Sequence, residues 1–151
     1  MRRSKKITFS VLILVLFGLW WYWECPMTMD SLLPQENWIR VELRWCNVAD
    51  AYYEPEFQKL ELDKLLTQMK SVKLTRTEQR TYLDDQYFQI NLFKGEAYPT
   101  MIYVGNTGRV QIARELDFDH WKHYEGGVAF YRFLENYSQT LPAVYDPPES
   151  E

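Results

Sequence analysis

Apolar and polar side chains alternate along residues 38–45, where Ile39, Val41, Leu43 and Trp45 interleave with Arg40, Glu42 and Arg44. Successive side chains on a strand point to opposite faces, so this spacing predicts a half-buried strand with its apolar set on one side. The period then changes. Leu62, Leu65, Leu66, Met69 and Val72 recur at helical spacing and predict a helix over roughly Leu62–Ser71, with Pro55 an alternative, earlier start, and with Asp63, Lys64, Gln68 and Lys70 outward. A short strand can follow over residues 72–77. Residues 86–116 read as a three-strand meander: Phe88, Ile90 and Leu92 alternate with Tyr87, Gln89 and Asn91, residues 100–104 (TMIYV) form the next strand, and Val110 and Ile112 the third. Gly105, Asn106, Thr107 and Gly108 between the last two are a hairpin signal, because Gly and Asn tolerate positive φ. A second helix is expected over residues 128–141, with Phe130, Phe133, Leu134, Tyr137 and Leu141 in one stripe, Gly126 and Gly127 before it and Pro142 after it. The order predicts an α+β fold: an antiparallel sheet of about four to five strands with two helices packed on one face.

The N-terminus has no such alternation. Arg2, Arg3, Lys5 and Lys6 form a basic tip, residues 7–23 carry no charge, and Trp20, Trp21, Tyr22 and Trp23 close the apolar run. A basic flank, an apolar stretch and an aromatic end predict a transmembrane signal-anchor or an export signal. The small residues that a signal peptidase needs are absent before Cys25, and Tyr22, Trp23 and Glu24 do not fit a lipobox, so the uncleaved anchor is the favoured reading. The basic tip places the N-terminus in the cytoplasm and the remainder outside it, as a single-pass protein of the cell membrane. The expected organisation is a tip and anchor helix over residues 1–24, a tether over 25–37, an extracytoplasmic α+β domain over 38–142 and a disordered tail over 143–151.

Charge sharpens that division. The chain of 151 residues has a formal net charge of −4, but residues 24–151 hold 13 of its 17 basic and all 21 of its acidic side chains, a difference of −8. Phosphate recognition needs clustered Lys and Arg, so nucleic acid is not an expected partner. The expected partners are the membrane, through residues 7–23, and a protein or envelope component. Cys25 and Cys46 would both lie outside, where a disulfide can form; it would close a loop of roughly twenty residues, worth about 3 kcal/mol. Two separate thiols are the alternative.

Residues 31–34 (SLLP), 63–66 (DKLL), 72–77 (VKLTRT), 98–105 (YPTMIYVG) and 130–134 (FYRFL) resemble small exported or membrane-anchored proteins and lipoproteins of Firmicutes, in domain-of-unknown-function families. The resemblance spans most of residues 31–141. It implies a Gram-positive envelope location and a single sheet with helices, and brings no reaction and no site residues.

Candidate chemistry is sparse. His120 and His123 are the two histidines; on a helix they would share a face and could bind zinc with Asp117 or Asp119, but a structural zinc site needs four protein ligands, and ordinary surface histidines are the stronger reading. No nucleophile elbow is present, and Asp84 and Asp85, adjacent on a strand, would point to opposite faces, so they read as a solvated turn. No cofactor motif and no catalytic residue stand out. Six Trp, eleven Tyr and eight Phe make an unusual aromatic load. Those outside the predicted core (Tyr52, Tyr53, Phe118, Trp121, Tyr124) are the candidate binding residues, against the alternative that their loops fold back over a small core. The function expected is an extracytoplasmic binding or interaction module; the alternatives are an accessory or sensor subunit of a membrane complex and, third, a small metal-dependent enzyme.

Overall fold

The period-two segments resolve into a larger sheet than the pattern predicts. The structure, a computed structural model, describes residues 2–33, 37–47, 58–59, 61–77, 84–95, 98–113 and 121–141. In chain order these form α1 (Arg2–Glu24), β1 (Met27–Thr28), α2 (Met29–Leu32), β2 (Arg40–Asn47), β3 (Gln58–Lys59), α3 (Leu62–Ser71), β4 (Lys73–Arg76), β5 (Gln86–Phe93), β6 (Thr100–Gly105), β7 (Val110–Ala113), β8 (Lys122–Glu125) and α4 (Val128–Ser138). Seven strands run β4-β8-β7-β6-β5-β2-β3, and β1 adds a two-residue pair outside β4. Every pairing is antiparallel. The expected sheet of four to five strands is thus too small. The additions are short: β1 lies in the stretch read as a tether, and β3 and β8 lie in stretches where the alternation predicts no element. Strands of two to four residues are too brief for an alternation to register.

The chain has four helices among the described residues, not an anchor and two. The stretch read as a tether enters the core, with Met29 at 0% and Leu33 at 5% exposure. There they join Leu65 and Met69 of α3, Phe130 and Leu134 of α4, and the inward side chains Val41, Leu43, Phe88, Ile90, Ile102, Val110 and Ile112 in one apolar cluster. Tyr137 ties α4 to the start of α3: its hydroxyl accepts from the Glu61 amide at 3.3 Å, and Lys64 Nζ lies 4.1 Å from its ring centroid. Ile39 and Trp45, expected inward, are 66% and 41% exposed.

The transmembrane helix is also corrected. Among the described residues, no helix is long and apolar enough to cross a membrane. The uncharged residues 7–23 cover about 26 Å at 1.5 Å per residue, short of a hydrocarbon layer of about 30 Å, and four of them are the closing Trp and Tyr. At its C-terminal end α1 is fastened to the sheet: Arg76 Nη1 on β4 donates to the Tyr22 carbonyl at 2.7 Å, and the guanidinium lies 3.7 Å above the Tyr22 ring.

Asp84 is not in a solvated turn. It is buried, and one carboxylate oxygen accepts from the Thr107 amide at 3.1 Å and the Thr107 hydroxyl at 2.6 Å. Arg109 stands 3.4 Å from the other. The carboxylate thereby organises the β6–β7 hairpin, whose Gly108 has φ +91°. The hairpin in turn holds the start of α4, through a 2.8 Å bond from the Gly127 amide to the Gly108 carbonyl. The expected tail, residues 143–151, lies outside the described residues.

Candidate functional site

One face of the sheet carries the apolar rows that α2, α3 and α4 cover. The antiparallel register brings the alternate positions of five neighbouring strands into line on the other face. Arg44 pairs with Gln89, Gln89 with Tyr103, Tyr103 with Gln111, and Gln111 with His123. The result is a transverse row of guanidinium, carboxamide, phenol, carboxamide and imidazole. At about 4.8 Å between strands it is roughly 19 Å long.

Contacts within the row orient part of it. Arg44 Nη2 donates to Gln89 Oε1 at 2.8 Å, and Gln89 Nε2 donates to Asn91 Oδ1 at 3.1 Å, so Asn91 orients Gln89 and Gln89 orients the guanidinium. Gln89, Asn91 and Gln111 are buried; Arg44, Tyr103 and His123 are only partly so. Aromatic rings flank the row. Tyr103 packs against Trp121 with centroids 4.9 Å apart and against Tyr87 at 5.6 Å, both tilted. Such contacts between ring edges and faces fix the rings while part of each stays accessible. Burial, and then the neighbouring Cys46, push the Tyr87 hydroxyl up to about 12, with Arg44 opposing. Burial raises Tyr103 as well, again against Arg44. Both phenols therefore remain neutral hydrogen-bonding groups at physiological pH.

Of the residues singled out from sequence, Trp121 belongs to this face. Tyr124 does not: it is 4% exposed and lies in the apolar core, because β8 turns it inward. Tyr52, Tyr53, Phe118 and His120 lie outside the described residues. His123 stands on a strand, not on a helix, so the helical spacing assumed for a zinc pair with His120 does not apply to it. Among the described residues, no group of three or more His, Cys, Asp or Glu side chains could hold a metal ion. Cys25 and Cys46 are free thiols. Cys25 adjoins β1, while Cys46 is on β2, with five strands between, about 30 Å of sheet against the roughly 7 Å limit for a bridge.

Sequence reasoning missed Arg44, Tyr87, Gln89, Tyr103 and Gln111 as a set. Alternation put Arg44, Gln89 and Gln111 on outward faces of separate strands, but only strand order and register make them one row.

A second surface is formed by α1. From Phe9 to Tyr22, twelve large apolar or aromatic side chains are 50–70% exposed, distributed around the helix.

No protein-family model, curated protein or solved structure matches this chain.

Proposed function

We propose that this protein is an interaction module working at a membrane surface outside the cytoplasm, in which α1 associates with lipid and the α+β domain presents a binding face. The observation that supports it best is the exposure of α1. A helix that is apolar on all sides is ordinarily covered, and a patch this large marks an interaction surface. Lipid fits the cover. The four basic residues at the start of α1 match anionic headgroups, at about 1 kcal/mol each, and the Trp and Tyr cluster at its end suits the interface between headgroups and water. The reading requires burial of these side chains in the acyl layer and nothing more.

Flotation tests it. The full chain should rise with vesicles of phosphatidylglycerol and phosphatidylcholine, more completely than with phosphatidylcholine alone, and a chain lacking residues 2–22 should stay in the dense fraction. A full chain that remains dense with both vesicle types, or a shortened chain that floats, would overturn the proposal.

A second reading is an accessory or sensor subunit whose α1 packs against a helix of another membrane protein. The Arg76 clamp favours it, since a displacement of α1 would pull directly on β4. Replacing residues 11–19 with leucine separates the two: lipid association survives, and helix-specific pairing does not.

A further inference from the structure

We infer that the rim of the sheet beside α1 is a lipid-docking surface, on which Lys122 meets a phospholipid phosphate and Tyr98 enters the headgroup layer. The inference rests on the reading of α1 as lipid-associated. It adds which end of the domain faces that lipid.

Strand register defines the rim. Helix α1 meets the domain at Arg76, the last residue of β4, whose guanidinium holds Tyr22. Arg76 pairs with Tyr124, so β8 starts at this end. The pairs Ile112 with Lys122, Met101 with Ala113, Leu92 with Thr100 and Arg40 with Phe93 carry the same end across β7, β6, β5 and β2. Ile39 closes it, its amide bonded to the Phe93 carbonyl at 2.9 Å. From β4 to β2 the rim is about 24 Å long.

Three observations point to lipid as the cover. First, the exposed rings of Trp20, Trp21 and Tyr22 end α1 at the Arg76 contact. Such rings settle between headgroups and water, which brings this end of the sheet to the same level. Second, the two most exposed large apolar side chains outside α1 among the described residues, Ile39 at 66% and Tyr98 at 65%, both stand on this rim; Trp45 and Val128, toward the other end, are 41% and 38% exposed. Third, charge is divided between the two ends. Among the described residues, Arg40, Arg76, Lys94 and Lys122 end or adjoin the strands here, with Glu24 of α1 as the acid beside them. The opposite end sets Asp84, Asp85 and Glu125 against Lys73 and Arg109. An anionic lipid layer therefore draws the first end toward it and repels the second. Sheets twist by about 20° per strand, so the rim lifts away from β4 toward β2. Lys122 docks nearest the lipid, Tyr98 next, and Ile39 at the outer margin.

Isotope-labelled full chain is placed in bicelles of phosphatidylcholine and phosphatidylglycerol doped with a lipid whose headgroup carries chelated gadolinium. Amide relaxation enhancement then reports distance from the headgroups. The two ends of an eight-residue strand such as β5 lie about 26 Å apart, so the amides of Lys122 and Tyr98 should be enhanced at least about fivefold more than those of Gly108 and Glu125, with Ile39 between them. The double variant Tyr98→Ser, Lys122→Glu alters two exposed positions and leaves α1 intact. It should still float with vesicles, keep the dispersed core amides of β5, and lose about half or more of the enhancement at Ile39 and Thr100. In a chain that floats, equal enhancement at both ends, or a larger one at Gly108, overturns the docking rim alone and leaves the lipid reading of α1 standing. Unchanged enhancement in the folded variant also overturns it, since the Arg76 clamp would then set the orientation without these contacts. A chain that neither floats nor shows enhancement anywhere overturns both readings.

Discussion

Asp84 shows how much one buried charge organises. Its carboxylate is almost wholly out of water, yet it accepts two hydrogen bonds from Thr107 and faces Arg109. Removing a buried acceptor leaves donors unsatisfied, so Asp84→Ala should cost about 2–4 kcal/mol, read as a lower denaturant midpoint. The carboxylate also occupies the space where a Cβ at Gly105 would lie. Gly105→Ala should therefore destabilise the wild type more than it does Asp84→Ala. A double-mutant cycle in which the two changes simply add would refute that shared-space account. Tyr87 gives a second test at this scale. Its folded-state hydroxyl is pushed up to about 12 by burial and by Cys46, above the ordinary value near 10 for the unfolded chain. Its contribution is complete below pH 10 and is lost as the pH rises toward and through 12, because the unfolded chain releases the proton first. Phenolate absorbance should show that Tyr87→Phe removes one group from the population titrating near pH 12. If the missing group is one that titrates near pH 10, the environment assigned to Tyr87 is wrong.

Elements, by contrast, are governed by their contacts with neighbours. Hydrogen exchange should locate the Arg76 clamp: Arg76→Ala removes a charge-assisted bond to the helix end and a cation–π contact. Amides around Cys25, whose own N–H bonds to the Trp21 carbonyl at 2.9 Å, should then exchange about tenfold faster while those of β5 stay unchanged. Uniform exchange across both regions would mean that Arg76 does not hold α1. The elements most legible in the sequence are those with internal periodicity or a turn signal of their own. Residues Leu62–Ser71 form a helix with the predicted bounds, since Leu65 and Met69 lie one turn apart and both are buried. The β6–β7 hairpin was legible from its two glycines. Strands β1, β3 and β8 were not, because two to four residues gain their stability from a partner strand and carry little local signal. The polar row was legible only as separate positions. Gln89 and Gln111 are 22 positions apart in the chain, and nothing local reveals that Tyr103 lies between them. Trp121 could be singled out by its type; Tyr124, three positions on, has the same aromatic signal and lies in the core.

At the scale of the whole molecule, the boundary between the protruding helix and the domain decides what can be removed. Helix α1 reaches the sheet at β4, through the Arg76 contact with Tyr22, and its apolar residues Phe9 to Tyr22 are at least half exposed. A few residues later the chain becomes core: Met29 pairs its amide with the Val72 carbonyl at 2.9 Å, and both Met29 and Leu33 lie in the apolar cluster with Leu65, Met69 and Leu74. Deleting residues 2–22 should therefore leave the domain folded, with Tm in phosphocholine micelles within about 5 °C of the full chain. Deleting residues 2–33 removes two buried side chains, each worth about 2–5 kcal/mol, along with strand β1, and should lower Tm by about 10 °C or more. Thermal melts of the two truncations side by side separate the alternatives. If both melt alike, the stretch from Met27 to Leu33 is part of the tether expected over residues 25–37; if only the longer deletion unfolds early, the folded unit begins at Met27, eleven residues before the first strongly alternating segment. In the second case the domain and α1 can be assayed apart, because the domain keeps its fold without the helix.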